Sequence, residues 1–135
     1  MDTNFLMIPA QFKVDIFAEL SRLINESFHV FIHESTIDEL KKISSTNNKN
    51  KPAANIALTL IKQKNLKRLA NSVNEKYTDN LILEGVTNKD IVCTQDQDLK
   101  RRLKSQYKGI RFIVLKSKKY LDFERLGGVA QLAIS

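Results

Sequence analysis

The sequence predicts an α/β domain with a mostly parallel sheet and helices on both of its faces. Short runs of β-branched and aromatic residues, such as residues 28–33 and 110–115, alternate with segments whose apolar residues recur every three or four positions. The chain has 135 residues, 42% of them apolar and 27% charged, which is typical of one globular domain with a single core. Strands that alternate with helices pair in parallel, because each helix carries the chain back to the same end of the sheet.

Three helices and one strand are expected in the first half of the chain. After a break at residues 8–10, a helix spans residues 12–24, and a buried strand follows at residues 28–33. A capping box from Thr36 to Glu39 opens the second helix, which continues to about residue 44. Pro52 begins the third helix after the polar loop 45–50. The apolar face of this third helix comprises Ala53, Ile56, Ala57, Leu60 and Ile61.

The second half repeats the pattern of helix and strand. Thr78 caps a helix over residues 79–86, a strand follows at residues 90–94, a helix at 96–106 and a last strand at 110–115. In the helix at 96–106, Leu99 and Leu103 face the core, and Lys100, Arg101 and Arg102 face outward. We expect the domain to span residues 1–120 and residues 121–135 to form a C-terminal tail that packs on the domain or on a partner subunit.

Four acidic stretches lie where a strand gives way to a helix or in the first turns of a helix: residues 2–4, 38–40, 78–80 and 94–98. Because the carboxyl ends of parallel strands share one edge, Asp2, Asp79 and Asp96 are expected to converge there, with Glu39 reaching the same cleft. Two carboxylates about 4 Å apart repel by roughly 4 kcal/mol at an effective dielectric of about 20, so such a cluster needs a cation. A donor set of oxygen atoms alone favours Mg²⁺ or Mn²⁺ over zinc.

An alternative explanation is that these acids only open helices. A carboxylate in the first turn of a helix is stabilised by the helix dipole by about 0.3–1 kcal/mol. Each acid taken singly fits either role, and only their joint placement favours a metal site.

Charge, cysteine content and apolar run length limit the partners and the cellular compartment that we expect. The net charge of +7 is concentrated in residues 100–119, which hold nine Lys or Arg residues and no acid, so a polyanion partner is expected; a solvated basic helix face is the alternative. The only cysteine, Cys93, excludes an intrachain disulfide and reads as a small buried hydrophobe. No apolar run reaches the roughly 18 residues of a membrane span, and no signal peptide is evident, so a cytoplasmic protein is expected.

These acidic motifs resemble those of the PIN-domain nucleases in their order and spacing. The openings at residues 2–6, 37–40, 78–80 and 92–103 carry the likeness, which spans nearly the whole chain. Within that family the chain is most similar to archaeal relatives of the PIN endonucleases that cut pre-ribosomal RNA, through residues 2–20 and the basic run after Asp98. The resemblance implies a three-layer α/β/α sandwich with a central mostly parallel sheet, and a metal-dependent endoribonuclease that acts in ribosomal RNA processing.

The resemblance also implies roles for individual residues. Metal-binding and catalytic acids fall on Asp2, Glu39, Asp79 and Asp96, with Asp98 as a further metal candidate. Asn4, Thr94 and Gln95 would orient the carboxylates or a water molecule, and Thr94 could equally cap a helix. The RNA backbone would be held, without reading of sequence, by Lys100, Arg101, Arg102 and Lys104. The expected reaction is in-line hydrolysis of a phosphodiester, assisted by Mg²⁺ or Mn²⁺.

The chain departs from the family pattern at its first strand. In the family the first acid ends a complete apolar strand, whereas a single residue precedes Asp2 here. We therefore expect a truncated first strand in a chain that still folds. Two alternatives stay open: catalysis is reduced or lost, or the native start lies upstream of Met1.

Other functions share some of these features. A VapC-type toxin has the same fold and acids and is neutralised by a small antitoxin. A non-catalytic RNA-binding scaffold would keep the basic helix while its acids have no role. A phosphoacceptor receiver domain needs a paired acid after its first strand, which Asp2 lacks, so it ranks last. The resemblance also implies a possible homodimer, and no membrane partner is expected.

Overall fold

The computed structural model describes residues 1–69 and 90–124, which form six helices and five strands. The helices are α1 (Thr3–Leu6), α2 (Ile8–Phe12), α3 (Ile16–Leu23), α4 (Glu34–Ser45), α5 (Lys51–Gln63) and α6 (Gln97–Gln106). The strands are β1 (Phe31–His33), β2 (Lys67–Leu69), β3 (Ile91–Cys93), β4 (Arg111–Lys116) and β5 (Tyr120–Phe123). The helix predicted at residues 79–86 lies outside these ranges. No helix within them is long and apolar enough to span a membrane.

Strand pairing is mostly parallel, as predicted. β1 pairs in parallel with β2, and β3 pairs in parallel with β4. β5 runs antiparallel to β4 after a turn in which Ser117 and Lys118 adopt left-handed conformations. Residues 121–123, which we expected to begin a tail, are thus part of the sheet, and Leu121 is fully buried. The rest of the expected tail, residues 125–135, lies outside the described part of the chain.

The first two residues lie between the two pairs of parallel strands. The Met1 ammonium donates a hydrogen bond to the carbonyl of Phe31 in β1, and the Asp2 N–H donates one to the carbonyl of Cys93 in β3, both at 3.4 Å. Helix α1 begins immediately afterwards. Met1 and Asp2 therefore stand where a truncated first strand was expected, and they connect β1 to β3.

Both faces of the β3–β4 sheet are buried, which gives the three layers. Successive side chains of a strand point to opposite faces. Cys93 and Ile113 pack on one face with Ile16 and Leu20 of α3. On the other face, α6 packs against the sheet through Val92, Leu99, Leu103, Phe112 and Val114. A further cluster packs β1 against α4 and α5, and its members include Ile32, Ile37, Leu40, Ala54, Ala57 and Ile61.

Two helices begin at other residues than the sequence predicts. Residues 8–10 do not break the chain but open α2, which ends because Lys13 adopts a left-handed conformation. Helix α3 then starts at Ile16, where the Asp15 carboxylate accepts a hydrogen bond from the Ala18 N–H at 3.1 Å. Helix α4 starts at Glu34 rather than at Thr36. Thr36 cannot cap a helix because it lies inside the first turns on the buried face.

Two side chains also face a different way than predicted. Ile56 of α5 is exposed, whereas Ala54, which the periodicity did not select, is fully buried against the neighbouring helices. Lys100 of α6 points into the protein, and its side chain is only 4% exposed. The prediction that Lys100 faces solvent and holds RNA is therefore wrong.

Lys100 is buried because it ties α6 to the end of β5. Its Nζ donates a hydrogen bond to Glu124 Oε1 at 2.7 Å, and Lys104 Nζ lies 3.2 Å from Glu124 Oε2. Burial works to raise the pKa of the Glu124 carboxyl, but the hydrogen bond from Lys100 and the nearby charge of Lys104 outweigh it and hold that pKa below its ordinary value. Glu124 is therefore charged at neutral pH, and its contacts with the two lysines hold the end of β5 against α6.

We expect Lys100→Met to lower the free energy of unfolding by about 1–3 kcal/mol, because it removes a buried charge-assisted hydrogen bond. Urea denaturation at pH 7 measures this loss. Arg101→Met changes the next residue of the same helix, whose side chain is 77% exposed, and should change stability by no more than about 0.5 kcal/mol. Equal losses in the two variants would contradict a structural role for Lys100.

Candidate active site

Asp2 is held rigidly at the start of α1. Its Oδ1 accepts a hydrogen bond from the Phe5 N–H at 2.9 Å, which satisfies a backbone donor of the first helical turn. The residue is only 8% exposed. Burial raises the pKa of the Asp2 carboxyl above its ordinary value, because a buried carboxylate loses its hydration. The charge of Asp96 adds to this rise, and it is opposed by the hydrogen bonds from Thr94 and Phe5 and by the Met1 ammonium.

Thr94 joins Asp2 to Asp96. Its hydroxyl donates a short hydrogen bond to Asp2 Oδ2 and accepts one from the Asp96 N–H at 3.0 Å. The Thr94 N–H donates to the carbonyl of Ile113, which holds this fully buried residue at the end of β3. Asp96 in turn caps α6 by accepting a hydrogen bond from the Leu99 N–H at 3.1 Å. Thr94 thus fixes one carboxylate directly and positions the second through its backbone.

Glu39 approaches the same end of the fold from α4. Its Oε2 accepts a hydrogen bond from the hydroxyl of Thr3 at 2.9 Å. Thr3 is buried and follows Asp2 directly in the chain. Thr94 therefore links Asp2 to Asp96, whereas Glu39 bonds to the residue that follows Asp2. Thr3 was not among the predicted site residues, although its position beside Asp2 in a strand-to-helix turn could have indicated it.

Of the four predicted acids, Asp2 and Asp96 are the two that the described structure brings together. Within residues 1–69 and 90–124, no three His, Cys, Asp or Glu side chains lie close enough to hold one ion. Asp79 lies outside these ranges. Asp98 is exposed on α6 and forms ion pairs with Arg101 and, at 3.9 Å, with Arg102. In these contacts Asp98 stabilises the helix surface and does not join Asp2 and Asp96.

Asn4 and Gln95 line a neighbouring cavity of about 480 Å³, together with Phe12 and Lys118. The Gln95 side chain accepts a hydrogen bond from the Leu115 N–H at 2.8 Å and donates one to the Leu115 carbonyl at 3.3 Å. Gln95 therefore fixes the loop before α6 to β4, which holds the turn that carries Thr94 and Asp96. Both of these hydrogen bonds are to the backbone of β4 rather than to a carboxylate.

Cys93 adjoins this site but is not a nucleophile. Burial raises the pKa of its thiol to about 11, so the side chain stays protonated at neutral pH. The interpretation of Cys93 as a small buried hydrophobe agrees with its place in the core beside Ile113.

The acids at this edge offer the oxygen donors that a hard divalent cation takes, although no three of the described acids lie close enough to hold one ion. Asp2 and Asp96 offer carboxylate oxygens, and Glu39 offers another on the far side of Thr3. The Asp2 charge is costly where it lies, because it is buried and close to a second carboxylate. A bound cation would relieve both costs, and oxygen-rich sites suit Mg²⁺ and Mn²⁺.

The protein has a three-layer α/β/α fold, with carboxylates at the carboxyl edge of a parallel sheet. It is therefore an α/β domain with an acidic site. The profile of a family described as PIN like domain matches residues 1–118. The chain belongs to this family, and the predicted PIN fold is confirmed.

Two known proteins resemble the chain over most of its length. Ribonuclease VapC4 of Methanocaldococcus jannaschii is 32% identical over 124 residues, which cover 90% of this chain and 92% of that protein. The solved structure of the PIN domain endonuclease Utp24 has a TM-score of 0.76 and 27% sequence identity, and the match covers 93% of this chain and 89% of that one. The printed names of these two proteins, a ribonuclease and a PIN domain endonuclease, support the assignment of the chain to a family of nucleases.

We expect Asp2→Asn to raise the free energy of unfolding at pH 7 in the absence of divalent cations. Because the folded pKa of Asp2 is raised, the folded state binds a proton more readily than the unfolded state. The cost of the buried charge is therefore fully present above the folded pKa and disappears as the pH falls below the ordinary value of 3.8. Urea denaturation of both proteins between pH 7 and pH 4, with EDTA present, measures the difference.

Asp15→Asn is the control for this comparison. Asp15 caps α3 through the same type of hydrogen bond, but it is exposed. Asparagine is as good a cap as aspartate, so we expect a change within about 0.5 kcal/mol at every pH. A destabilisation by Asp2→Asn that is equally large at pH 7 and pH 4 would show that the carboxylate charge is not the cost.

Proposed function

We propose that this chain is an Mg²⁺- or Mn²⁺-dependent endoribonuclease that uses Asp2, Glu39, Asp79 and Asp96 to hold its metal. The observation that carries the proposal is the contact of Thr94 with both Asp2 and Asp96 at the edge of the sheet, in a chain of the PIN like domain family. We propose pre-ribosomal RNA as the substrate. The likeness of residues 2–20 and of the basic run after Asp98 to the processing endonucleases supports this choice.

In this proposal the chain itself supplies orientation and charge. The Phe5 N–H and the Thr94 hydroxyl hold the two oxygens of Asp2 in fixed directions, so little reorganisation is needed when a cation binds. Asp96 is fixed by its bond to the Leu99 N–H, which uses one carboxylate oxygen and leaves the other for a cation. The metal, when bound, polarises the phosphodiester and makes water a better nucleophile.

Lys100 is buried, but the other cations form a basic surface that supports RNA binding. Arg101 and Arg102 lie on the solvent side of α6, one turn after Asp96. Arg111 and Lys118 are also exposed, at the two ends of β4. Cations spread over this surface would hold phosphates electrostatically and without reading bases. Lys104 is half-exposed and shares Glu124 with Lys100, so its contribution to RNA binding is expected to be smaller.

We expect Asp96→Asn to reduce Mn²⁺-dependent cleavage of a labelled structured RNA by on the order of 100-fold or more, because it removes one charged metal ligand. Asparagine keeps the cap of α6, so the fold should survive. Asp15→Asn is the matched control, since Asp15 is exposed and caps α3 through a bond of the same 3.1 Å length. Equal cleavage by Asp96→Asn and the wild-type chain would overturn the proposal.

Metal binding can be measured on the same three proteins without an RNA cleavage assay. We expect Mn²⁺ to raise the melting temperature of the wild-type chain and of Asp15→Asn, since a ligand that binds only the folded state stabilises it. This rise should be absent in Asp96→Asn. If the wild-type chain binds RNA but neither binds Mn²⁺ nor cuts, the scaffold function replaces the nuclease.

We expect the double variant of Arg101→Ala and Arg102→Ala to weaken RNA binding and to flatten its salt dependence. Each lost phosphate contact on a single strand reduces the slope of log K against log salt by about 0.7. Asp98 loses its ion-pair partners in this variant, but both pairs are exposed and contribute little to stability. Fluorescence anisotropy between 50 and 300 mM salt, about the range in which such contacts are screened, measures the slope. Lys100→Met should leave the slope unchanged.

A toxin ribonuclease is the second candidate, because the chain is 32% identical to Ribonuclease VapC4 over nearly its whole length. The two candidates differ in substrate and in cellular effect. A toxin should arrest growth when expressed, and Asp96→Asn should abolish the arrest. A processing enzyme should cut pre-ribosomal RNA fragments at one position in preference to a mixture of transfer RNAs, without arresting growth.

A further inference from the structure

We propose that the cavity of about 480 Å³ beside Asp2 and Asp96 is a subsite for one nucleobase, that of a nucleotide next to the scissile phosphate. We call it the Gln95 cavity, after a residue of its wall. The proposal rests on the endoribonuclease function proposed above and adds to it the residues that hold the RNA in register at the cut. The volume lies within the range of about 300–1,000 Å³ that is usual for sites of small organic groups.

The Gln95 cavity adjoins the candidate active site through the chain itself. Asn4 lines the cavity and lies in α1, two residues after Asp2. Gln95 lies between Thr94 and Asp96 in the chain. Two residues of chain span at most about 7 Å, so the cavity wall begins within reach of one nucleotide from the acids. A strand of RNA with one phosphate at the acids therefore has a neighbouring nucleotide at the cavity.

Two walls from distant parts of the chain enclose the Gln95 cavity. One wall is a face of α2 that carries Ile8, Gln11 and Phe12, at the three- and four-residue spacing of one helical face. The other wall is the end of β4 and the turn after it, where residues 115, 117 and 118 line the cavity. Gln95 holds this second wall by two hydrogen bonds to the backbone of β4, at 2.8 and 3.3 Å. The backbone around the cavity is therefore fixed before a ligand binds.

Phe12 offers a stacking platform in this cavity. Its side chain is half-buried, because it packs against the core cluster of α3 and the sheet and also lines the cavity. Contact with the core fixes the ring, so little conformational freedom is lost when a flat group stacks on it. Nucleobases stack on aromatic side chains whatever their identity, because every base has an aromatic face. Leucine at this position would keep the core contact and lose the aromatic face.

Two carboxamides at the cavity supply the polar contacts that the edge of a base needs. Asn4 and Gln11 are exposed, and neither side chain bonds to another of the described residues. A carboxamide both donates and accepts hydrogen bonds, which matches the mixed donors and acceptors on the edges of unpaired bases. Within residues 1–69 and 90–124, no acidic side chain lines the cavity. The lining therefore favours a flat, neutral ligand with polar edges over a cation.

Lys118 provides a cation at the cavity for the phosphate of the same nucleotide. It is exposed and pairs with no acid of the described residues, whereas Lys116 lies 3.9 Å from Asp122. Ser117 and Lys118 have φ angles of 54° and 55°, a left-handed conformation that residues other than glycine seldom adopt and that is costly. The Lys119 N–H closes this turn on the Lys116 carbonyl at 3.0 Å. The turn thus keeps Lys118 beside the cavity at a conformational cost, as is common at binding sites.

Binding of RNA to a Phe12 variant tests the stacking. The probes are a labelled single strand of about eight nucleotides and the same strand paired with its complement, both with EDTA present so that neither is cut. We expect Phe12→Leu to bind the single strand about ten-fold more weakly than the wild-type chain, because a stacked base is lost. Its affinity for the duplex should be unchanged, since paired bases do not enter the cavity. Fluorescence anisotropy measures both affinities.

Phe17→Leu is the matched control for this variant. Phe17 is half-buried and packs on the same core cluster as Phe12, but it does not line the cavity. We expect it to change neither affinity by more than about two-fold. Equal weakening for both probes, or equal weakening by both variants, would overturn the subsite. A wild-type chain that does not bind the single strand would overturn it as well.

Gln11 gives a second variant, which leaves the core intact. We expect Gln11→Ala to weaken binding of the single strand by about three-fold to ten-fold, because one hydrogen bond to the base is lost. Gln63→Ala is its control, since both glutamines are exposed near the end of a helix and Gln63 does not line the cavity. Neither change removes a charge, so the salt dependence of binding should stay the same in both. Equal affinities of these two variants for the single strand would overturn the subsite.

Photocrosslinking places the bound base relative to the cut. A single iodouridine, moved along the strand from position to position, forms a covalent bond on irradiation with an aromatic ring that it contacts. We expect a crosslink to Phe12 from one position, and Mn²⁺-dependent cleavage of the unmodified strand at a phosphate adjacent to that position. Cleavage without a crosslink to Phe12 would overturn the subsite and leave the nuclease function standing. A crosslink to Phe12 without cleavage would overturn the nuclease function and, with it, the place of the base at a cut.

Discussion

The hydrogen bond between the Thr94 hydroxyl and the Asp2 carboxylate is the contact on which the rest of the structure depends. It joins residues 92 positions apart and links the start of α1 to the end of β3. Because the same hydroxyl accepts the Asp96 N–H, it also sets the start of α6. The three-stranded sheet, the first helix and the basic helix thus meet at one buried threonine, and the candidate active site lies at that meeting point.

The buried position of the Asp2 carboxylate lowers the stability of the fold but suits the proposed function. A carboxylate that is buried beside a second carboxylate raises the free energy of the folded state, and hydrogen bonds from Phe5 and Thr94 offset only part of that cost. A protein without need of a cation would gain stability from a neutral side chain at Asp2. Retention of the charge in such a place is typical of functional sites, where pKa values are often perturbed.

The basic helix α6 divides its cations between two tasks. Lys100 and Lys104 neutralise Glu124 and fix α6 to the edge strand β5, and Lys104 also lies over the Phe112 ring at 5.6 Å. Arg101 and Arg102 lie on the solvent side, where Asp98 pairs with them weakly. A sequence run of like charges therefore does not measure the charge available to RNA, because part of it stabilises the fold.

The sequence by itself determined the alternation of strands and helices, the parallel pairing and the approach of Asp2 and Asp96 at one edge, because apolar periodicity and strand-to-helix order are local properties. Only the tertiary structure decided that Lys100 is buried, that residues 121–123 form a strand, that Thr94 links Asp2 to Asp96 and that Thr3 bonds to Glu39. Each of these depends on a partner distant in sequence, such as Glu124 for Lys100 or β4 for β5, and such a partner is set by packing rather than by the neighbouring residues.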